Sequence, residues 1–432
     1  MNTKSSPVPE CPTAGDYLIA SKACVVSNLQ HFLKMGKLLQ CIGNLVHGLQ
    51  RERGASNLFL GSGGEWFSRE REAMATESDQ LKKAFGDALS DIHQELTQNP
   101  VSSRLLNQIA SALHGLEGLD RLRGDVVAQS ISAADATEEY SGLIHNLIAV
   151  VFEAADTAVD PGIAGLLVAM VHLMNGKELC GQERAVGSAG FSSGHVDHAL
   201  SQRMAHLIEA QERCFEVFSS FADAGSLTLW QQIRAMDREQ DIERLRRHAL
   251  SVGPYKELDT TLADQWFHLM TARIDDLKRV EESVEGCFHS RCIERYAEAR
   301  NSLAHQESLI ASLNSRHDAP HQPILVLCDS GPDGGNVDAF SSSGVSQRFG
   351  RSIFDLVQEQ SRRLQTMTDE LQSAKEALED RKTQEKAVLL LMEHRQISND
   401  DAHRVLRKLA MDQGRKLPEV ARALISMADV LK

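Results

Sequence analysis

Between Tyr17 and Leu60 the chain has no proline, and Leu29, Phe32, Leu33, Leu38, Leu39, Ile42, Leu45, Val46 and Leu49 recur at close to 3.6 residues. A run of this length and period closes its backbone hydrogen bonds only as a long helix with one buried face. The same rhythm returns over 81–96, 101–127, 136–158, 163–180, 196–222, 227–250 and 260–312. Only 10 prolines interrupt 432 residues, and aromatics make up 5%, so the helices must pack through Leu, Ala and Val. An all-α chain is expected. The stretch from Ile163 is apolar on every side, which places it at the centre of a bundle. Its uncharged core, Ile163 to Met174, is shorter than the ~20 residues of a membrane span. The N-terminus lacks the basic and apolar regions of a signal peptide, and a cytoplasmic location is expected. No Cys-x-x-Cys occurs among the 8 cysteines, as expected of reduced thiols. Cys287, His289 and Cys292 lack a second matching pair, so no metal is expected.

Composition divides the chain further. Residues 1–16 are small, polar and proline-containing, and are expected to be disordered. A helical region covers 17–314. Residues 315–350 hold Pro320, Pro323, Gly331-Pro332-Asp333-Gly334-Gly335 and Ser341-Ser342-Ser343-Gly344, a linker in which Ile324 to Cys328 is extended. Val357, Gln360, Leu364, Met367, Leu371, Ala374 and Leu378 then alternate spacings of three and four, the seam of a coiled-coil stalk over 351–380 that makes a homodimer. Residues 375–430 read as three short helices. Ser398 starts the second with a capping box, Gly414 closes it, and Pro418 lies in the first turn of the third.

Several function classes are excluded. Gly61-Ser62-Gly63-Gly64 follows a helix and lacks a trailing Gly-Lys-Ser/Thr, so it is a helix terminus and not a phosphate loop. His145, His172 and His268 lie on apolar helices with no triad or His-Glu-x-x-His spacing, and the chain is not expected to be an enzyme. Trp266 and Phe267 are expected to be packing residues. Charge is uneven: the chain carries −14, yet from Arg381 onward 11 basic residues face 7 acidic ones. A basic end on an acidic body suits a phosphate-bearing partner. A helical protein-interaction adaptor built on the coiled coil is the other class.

Ala402-x-x-x-Leu406-Arg407-x-x-Ala410-Met411, Leu417-Pro418-Glu419-Val420-Ala421 and the upstream Arg381-Lys382…Ala387…Leu390-Leu391-Met392 resemble the ANTAR domain of RNA-binding antiterminators. Where that family usually has Ala-Lys-Gly, this chain has Ala387-Val388-Leu389. The resemblance implies a leader RNA with hairpins as partner. Arg381, Lys382, Lys386, Arg407 and Lys416 would carry charge to phosphates, and Ala402 and Ala410 would permit close approach. Gln50-Arg51-Glu52-Arg53-Gly54-Ala55-Ser56, Lys177-Glu178…Glu183-Arg184-Ala185 and Trp266-Phe267…Thr271 resemble the NIT domain, a helical nitrate- and nitrite-sensing module. That implies two packed helical bundles with an anion site between them, no cofactor, and nitrate or nitrite as ligand. Nitrate is planar, singly charged and weakly basic, and is best held by guanidinium groups in a dry pocket. Arg51, Arg53, Arg184 and one arginine of Arg244-Leu245-Arg246-Arg247, represented by Arg244, are the candidates. Together the two resemblances imply a nitrate-responsive antiterminator of nitrate-assimilation genes.

Overall fold

The computed structural model describes residues 13–98, 103–251, 259–314 and 380–430, the last with breaks at 382, 393, 396 and 398. The linker with its extended stretch at 324–328, the stalk seam and Ser398 lie outside the described residues. Among the described residues every regular element is a helix: α1 (Ala14–Gly61), α2 (Ser68–Gln98), α3 (Ser103–Glu117), α4 (Leu119–Val127), α5 (Ala133–Asp156), α6 (Pro161–Ser192), α7 (His198–Phe221), α8 (Ala224–Arg234), α9 (Asp237–Ser251), α10 (Leu262–Asn314), α11 (residues 383–392), α12 (Asn399–Gln413) and α13 (Leu417–Val430). Residues 31–291 and 371–432 form one compact unit. A second unit comprises 1–30 and 292–370, of which the described part is the start of α1 and the end of α10.

Helix starts follow from local chemistry. Ser132 accepts a hydrogen bond from the Asp135 amide at the head of α5, and Asp160 accepts one from Ile163 (3.1 Å) ahead of Pro161 in α6. Asp197 does the same for α7 through Leu200 (2.7 Å). Two expected single helices are each divided in two, at Gly118 between α3 and α4 and at 235–236 between α8 and α9.

Helix α6 is the axis of the larger unit. It is long and apolar enough to cross a membrane, but 89% of its most apolar window is covered by protein. It also runs beyond the expected end at Cys180, through Gly181, Gly187 and Gly190 to Ser192. Glycine costs a helix about 1 kcal/mol relative to alanine, so these positions need a tertiary reason. Phe215 of α7 lies against Gly176, with ring atoms 2.5–3.0 Å from where a Cβ would stand, and the Trp266 indole of α10 occupies the space over Gly187. Cys180 donates to Gln211 of α7 (3.0 Å), while Glu178 and Lys177 face α1 and α10. Thus α6 is shared by α1, α5, α7, α9 and α10.

The C-terminal helices enclose their own core of Ala387, Val388, Leu391, Ala402, Leu406, Ala410, Val420 and Ala421. Gly414 closes α12 with φ +59°, a left-handed conformation that glycine adopts without a Cβ clash.

Candidate functional site

One turn and a half of α1 explains the Gln50-Arg51-Glu52-Arg53-Gly54 run. Helical periodicity sends Arg51 outward to Glu77 of α2 (2.8 Å), where its side chain is 36% exposed. Glu52 turns to α4 and α5, accepting Arg123 Nε (2.7 Å), Arg123 Nη2 (3.0 Å) and the Tyr140 hydroxyl (2.9 Å). Gln50, Arg53 and Gly54 face α6.

Arg53 and Arg184 are brought together there, both buried. Arg53 forks onto Glu178: Nη1 reaches Oε1, Nη2 lies 3.2 Å from Oε2, and Nη1 also donates to Ser141 Oγ (2.7 Å). Glu178 further accepts Gln50 Nε2 (2.9 Å) and Gln182 Nε2 (3.0 Å), so its charge is fully occupied. Two glycines make this crossing possible. A Cβ at Gly54 would collide with Arg184 Nη2, and one at Gly181 would collide with Arg53 Nη2. Each helix leaves out a side chain where the other inserts a guanidinium.

Arg184 differs from its neighbours. Four charged residues of α6 are buried, and three meet an opposite charge: Lys177 with Glu281 (2.6 Å), Glu178 with Arg53, and Glu183 with Arg246 (2.7 Å). Arg184 forms no salt bridge among the described residues. Its Nη1 donates to Thr271 Oγ1 (2.9 Å) and its Nη2 to the Gln50 carbonyl (3.1 Å), both neutral acceptors. The Phe267 ring covers it at 4.9 Å. Burial, and after it the Arg53 charge, lowers its pKa from 12.5 to about 10, so it stays cationic at neutral pH. The result is a dry guanidinium with unspent charge.

Aromatic residues roof the site. Trp266 Nε1 donates to the Arg184 carbonyl (3.1 Å), and Phe267 meets Phe67 edge-on at 6.2 Å. Phe67 closes the α1–α2 loop at φ +63°, and Gln129, itself at φ +54°, donates to the Gly63 carbonyl of that loop (3.1 Å). Phe267, expected to be packing alone, is therefore a wall of the site. Its sequence signal is its place one helical turn before Thr271, which also touches Arg184.

Arg51 and Arg244 are not brought to the site. Arg244 is 69% exposed and pairs with Asp241 (2.9 Å). The buried member of its run is Arg246, two residues on and on the opposite face, where it engages Glu183, Glu243 (2.6 Å) and Gln211 (3.2 Å). A surface cleft at Ser219, Leu227, Trp230, Gln231, Arg234 and Ala235 shares no residue with the Arg53–Arg184 site.

The C-terminal candidates divide into three groups. Ala402 and Ala410 point into the three-helix core with Leu406, because residues at i, i+4 and i+8 share a face. Their expected role in close approach is corrected: they pack the domain. Lys386 and Lys416 are exposed, and Lys382 lies outside the described residues. Arg381 and Arg407 are held against the sensor helices. Arg381 Nη2 donates to Asn175 Oδ1 of α6 (2.8 Å). Arg407 binds Glu209 and His206 Nε2 (3.2 Å) of α7, Arg404 donates to Gln202 (2.7 Å), and His403 packs on His206 at 5.6 Å. Arg404 was not among the expected residues; only its place one turn before Lys408 on a basic helix pointed to it.

The family described as nitrate and nitrite sensing (NIT) matches residues 44–287, and the ANTAR domain matches 372–425. The nitrate regulatory protein of Klebsiella oxytoca is 32% identical over 417 residues, covering 96% of this chain and 96% of that protein. The solved structure of the NasR transcription antiterminator aligns with a TM-score of 0.58 at 30% identity, across 97% of this chain and 100% of that one. With a sensor of matching length built on buried arginines and a small helical effector at its end, the chain belongs to the NIT–ANTAR family of nitrate regulatory proteins.

Proposed function

We propose that this protein is a one-component transcription antiterminator in which nitrate or nitrite at Arg184 controls binding of the C-terminal helices to leader-RNA hairpins of nitrate-assimilation genes. The observation that carries the reading is the buried charge of Arg184, which has only neutral acceptors. A planar monoanion laid against this guanidinium supplies the missing charge and accepts from its fork of N–H groups, with Arg53 beside it. Neutralising a buried cation releases strain held between α1, α6 and α10, and the same helix α6 carries Asn175, where Arg381 docks.

Arg381, Arg404 and Arg407 are spent on Asn175, Gln202, His206 and Glu209. RNA phosphates compete for those same guanidinium groups. A shift of α6 against α7 on anion binding frees them, joining the exposed Lys386 and Lys416 in one basic surface. The stalk at 351–380 joins two such chains, and the protein works in the cytoplasm without a cofactor.

The test is RNA retention by the full chain on a leader with tandem hairpins, with and without millimolar nitrate. Retention that depends on nitrate, and becomes independent of it in Glu209→Ala, supports the proposal. A chain that ignores the leader under both conditions is instead a protein-interaction adaptor.

A further inference from the structure

Arg184 and Arg53 together place two positive charges in one dry site, yet the site does not hold a net charge of two. Glu178 takes back one. Its carboxylate is forked on Arg53 and is also held by Gln50 and Gln182, so it is fixed in place. The remaining charged groups nearby cancel in pairs. Lys177 and Lys278 face Glu281 and Glu285, Arg123 faces Glu52, and Arg51 faces Glu77. Asp275 also acts on Arg184, from the solvent side with its side chain 55% exposed, and its charge is the same in every variant compared below, so it does not enter the difference. What the buried groups leave for a ligand is a single positive charge.

We propose that Glu178 is the specificity-determining residue that confines the arginine site to monovalent anions. The inference rests on the anion reading above and deepens it. A monoanion on Arg184 makes the buried site neutral. A dianion of similar size, such as sulfate, leaves one negative charge facing the Glu178 carboxylate in a medium where uncompensated charge is costly. Shape alone does not provide this discrimination, since a guanidinium fork accepts two oxygens of nitrate, nitrite or sulfate alike. The chain instead sets it by the count of charges, and Glu178 is the residue that changes the count.

The experiment compares nitrate and sulfate affinities of the full-length protein by thermal shift and calorimetry, at equal ionic strength balanced with sodium gluconate. The readout is the ratio of the two dissociation constants, because sulfate holds its water more tightly whatever the protein does. Glu178→Gln keeps the shape and the acceptor for Arg53 while removing the charge, and should move the ratio toward sulfate by about tenfold or more. Glu178→Asp keeps the charge and should keep the wild-type preference. Gln182→Glu adds a second carboxylate beside the first and should abolish nitrate binding even if Glu178→Gln fails to fold. If wild type shows no response to nitrate, the anion reading itself is wrong. If wild type responds but Glu178→Gln leaves the ratio unchanged, or Gln182→Glu still binds nitrate, the anion reading stands and Glu178 does not set the charge.

Discussion

Replacing Arg184 with methionine should make the empty protein more stable while destroying its response to nitrate. Arg184 is 4% exposed, and its pKa falls from 12.5 to about 10. At 1.36 kcal/mol per pKa unit that is a penalty of about 3 kcal/mol for keeping the charge inside the fold. Methionine has similar length and no charge to desolvate. Against this, the substitution loses the hydrogen bonds to Thr271 and the Gln50 carbonyl and the contact with Phe267. Because the charge itself is already counted in that penalty, the bonds are valued as those of a neutral donor, and together these return roughly 1–3 kcal/mol. The Gln50 carbonyl stays in the hydrogen-bond ladder of α1, so it is not orphaned. A net gain of up to about 2 kcal/mol remains, and at roughly 2–4 °C per kcal/mol for a domain of this size the melting temperature should rise by up to about 8 °C. Scanning calorimetry with and without nitrate reads both effects. At one hundred times Kd, wild type should gain about 2.7 kcal/mol from ligand, and Arg184→Met nothing. A variant that melts below wild type would refute the idea of an unspent charge. A retained nitrate shift would place the anion elsewhere.

Arg53→Met should act in the opposite direction, costing about 3–5 kcal/mol in chemical denaturation, because it strands the buried Glu178 carboxylate. Gly181→Ala should expel Arg53 from its groove and lower both the melting temperature and the nitrate shift, whereas Gly86→Ala, where a Cβ meets open space, should leave the nitrate shift unchanged. His172, buried with both ring nitrogens unpartnered, is pushed down to about 3 by burial and then by Arg381. The unfolded chain therefore takes up a proton near pH 6.5 that the folded chain refuses until about 3, so stability is lost as pH falls through that window. His172→Leu should flatten denaturation midpoints between those pH values by up to about 1.4 kcal/mol per pH unit, and an unchanged slope would assign the acid sensitivity to other groups. Glu209→Ala should raise nitrate-independent RNA retention, with binding that still weakens in salt.

The all-helical architecture was readable from period alone, since apolar spacing over long proline-free runs permits no other closure of the backbone. The burial of α6 followed from its lack of a polar face, and the end of α12 from Gly414. Motif resemblance also singled out Arg53 and Arg184, and Glu178 and Thr271 lie within the same motifs. What sequence could not decide was which charges cancel. Arg53 and Glu178 lie 125 residues apart, and Arg246 and Glu183 lie 63 apart. Only the crossing of α1, α9 and α10 over α6 assigns a carboxylate to each of these arginines and withholds one from Arg184. For the same reason Arg244 and Arg246 could not be distinguished: the run has polar residues on several faces, and burial depends on which face α6 covers. Ala402 and Ala410 were misread as contact positions because a small residue serves equally for close approach outside and for close packing inside. Period fixes which residues share a face, and only the partner helix decides whether that face is wet, paired or left charged.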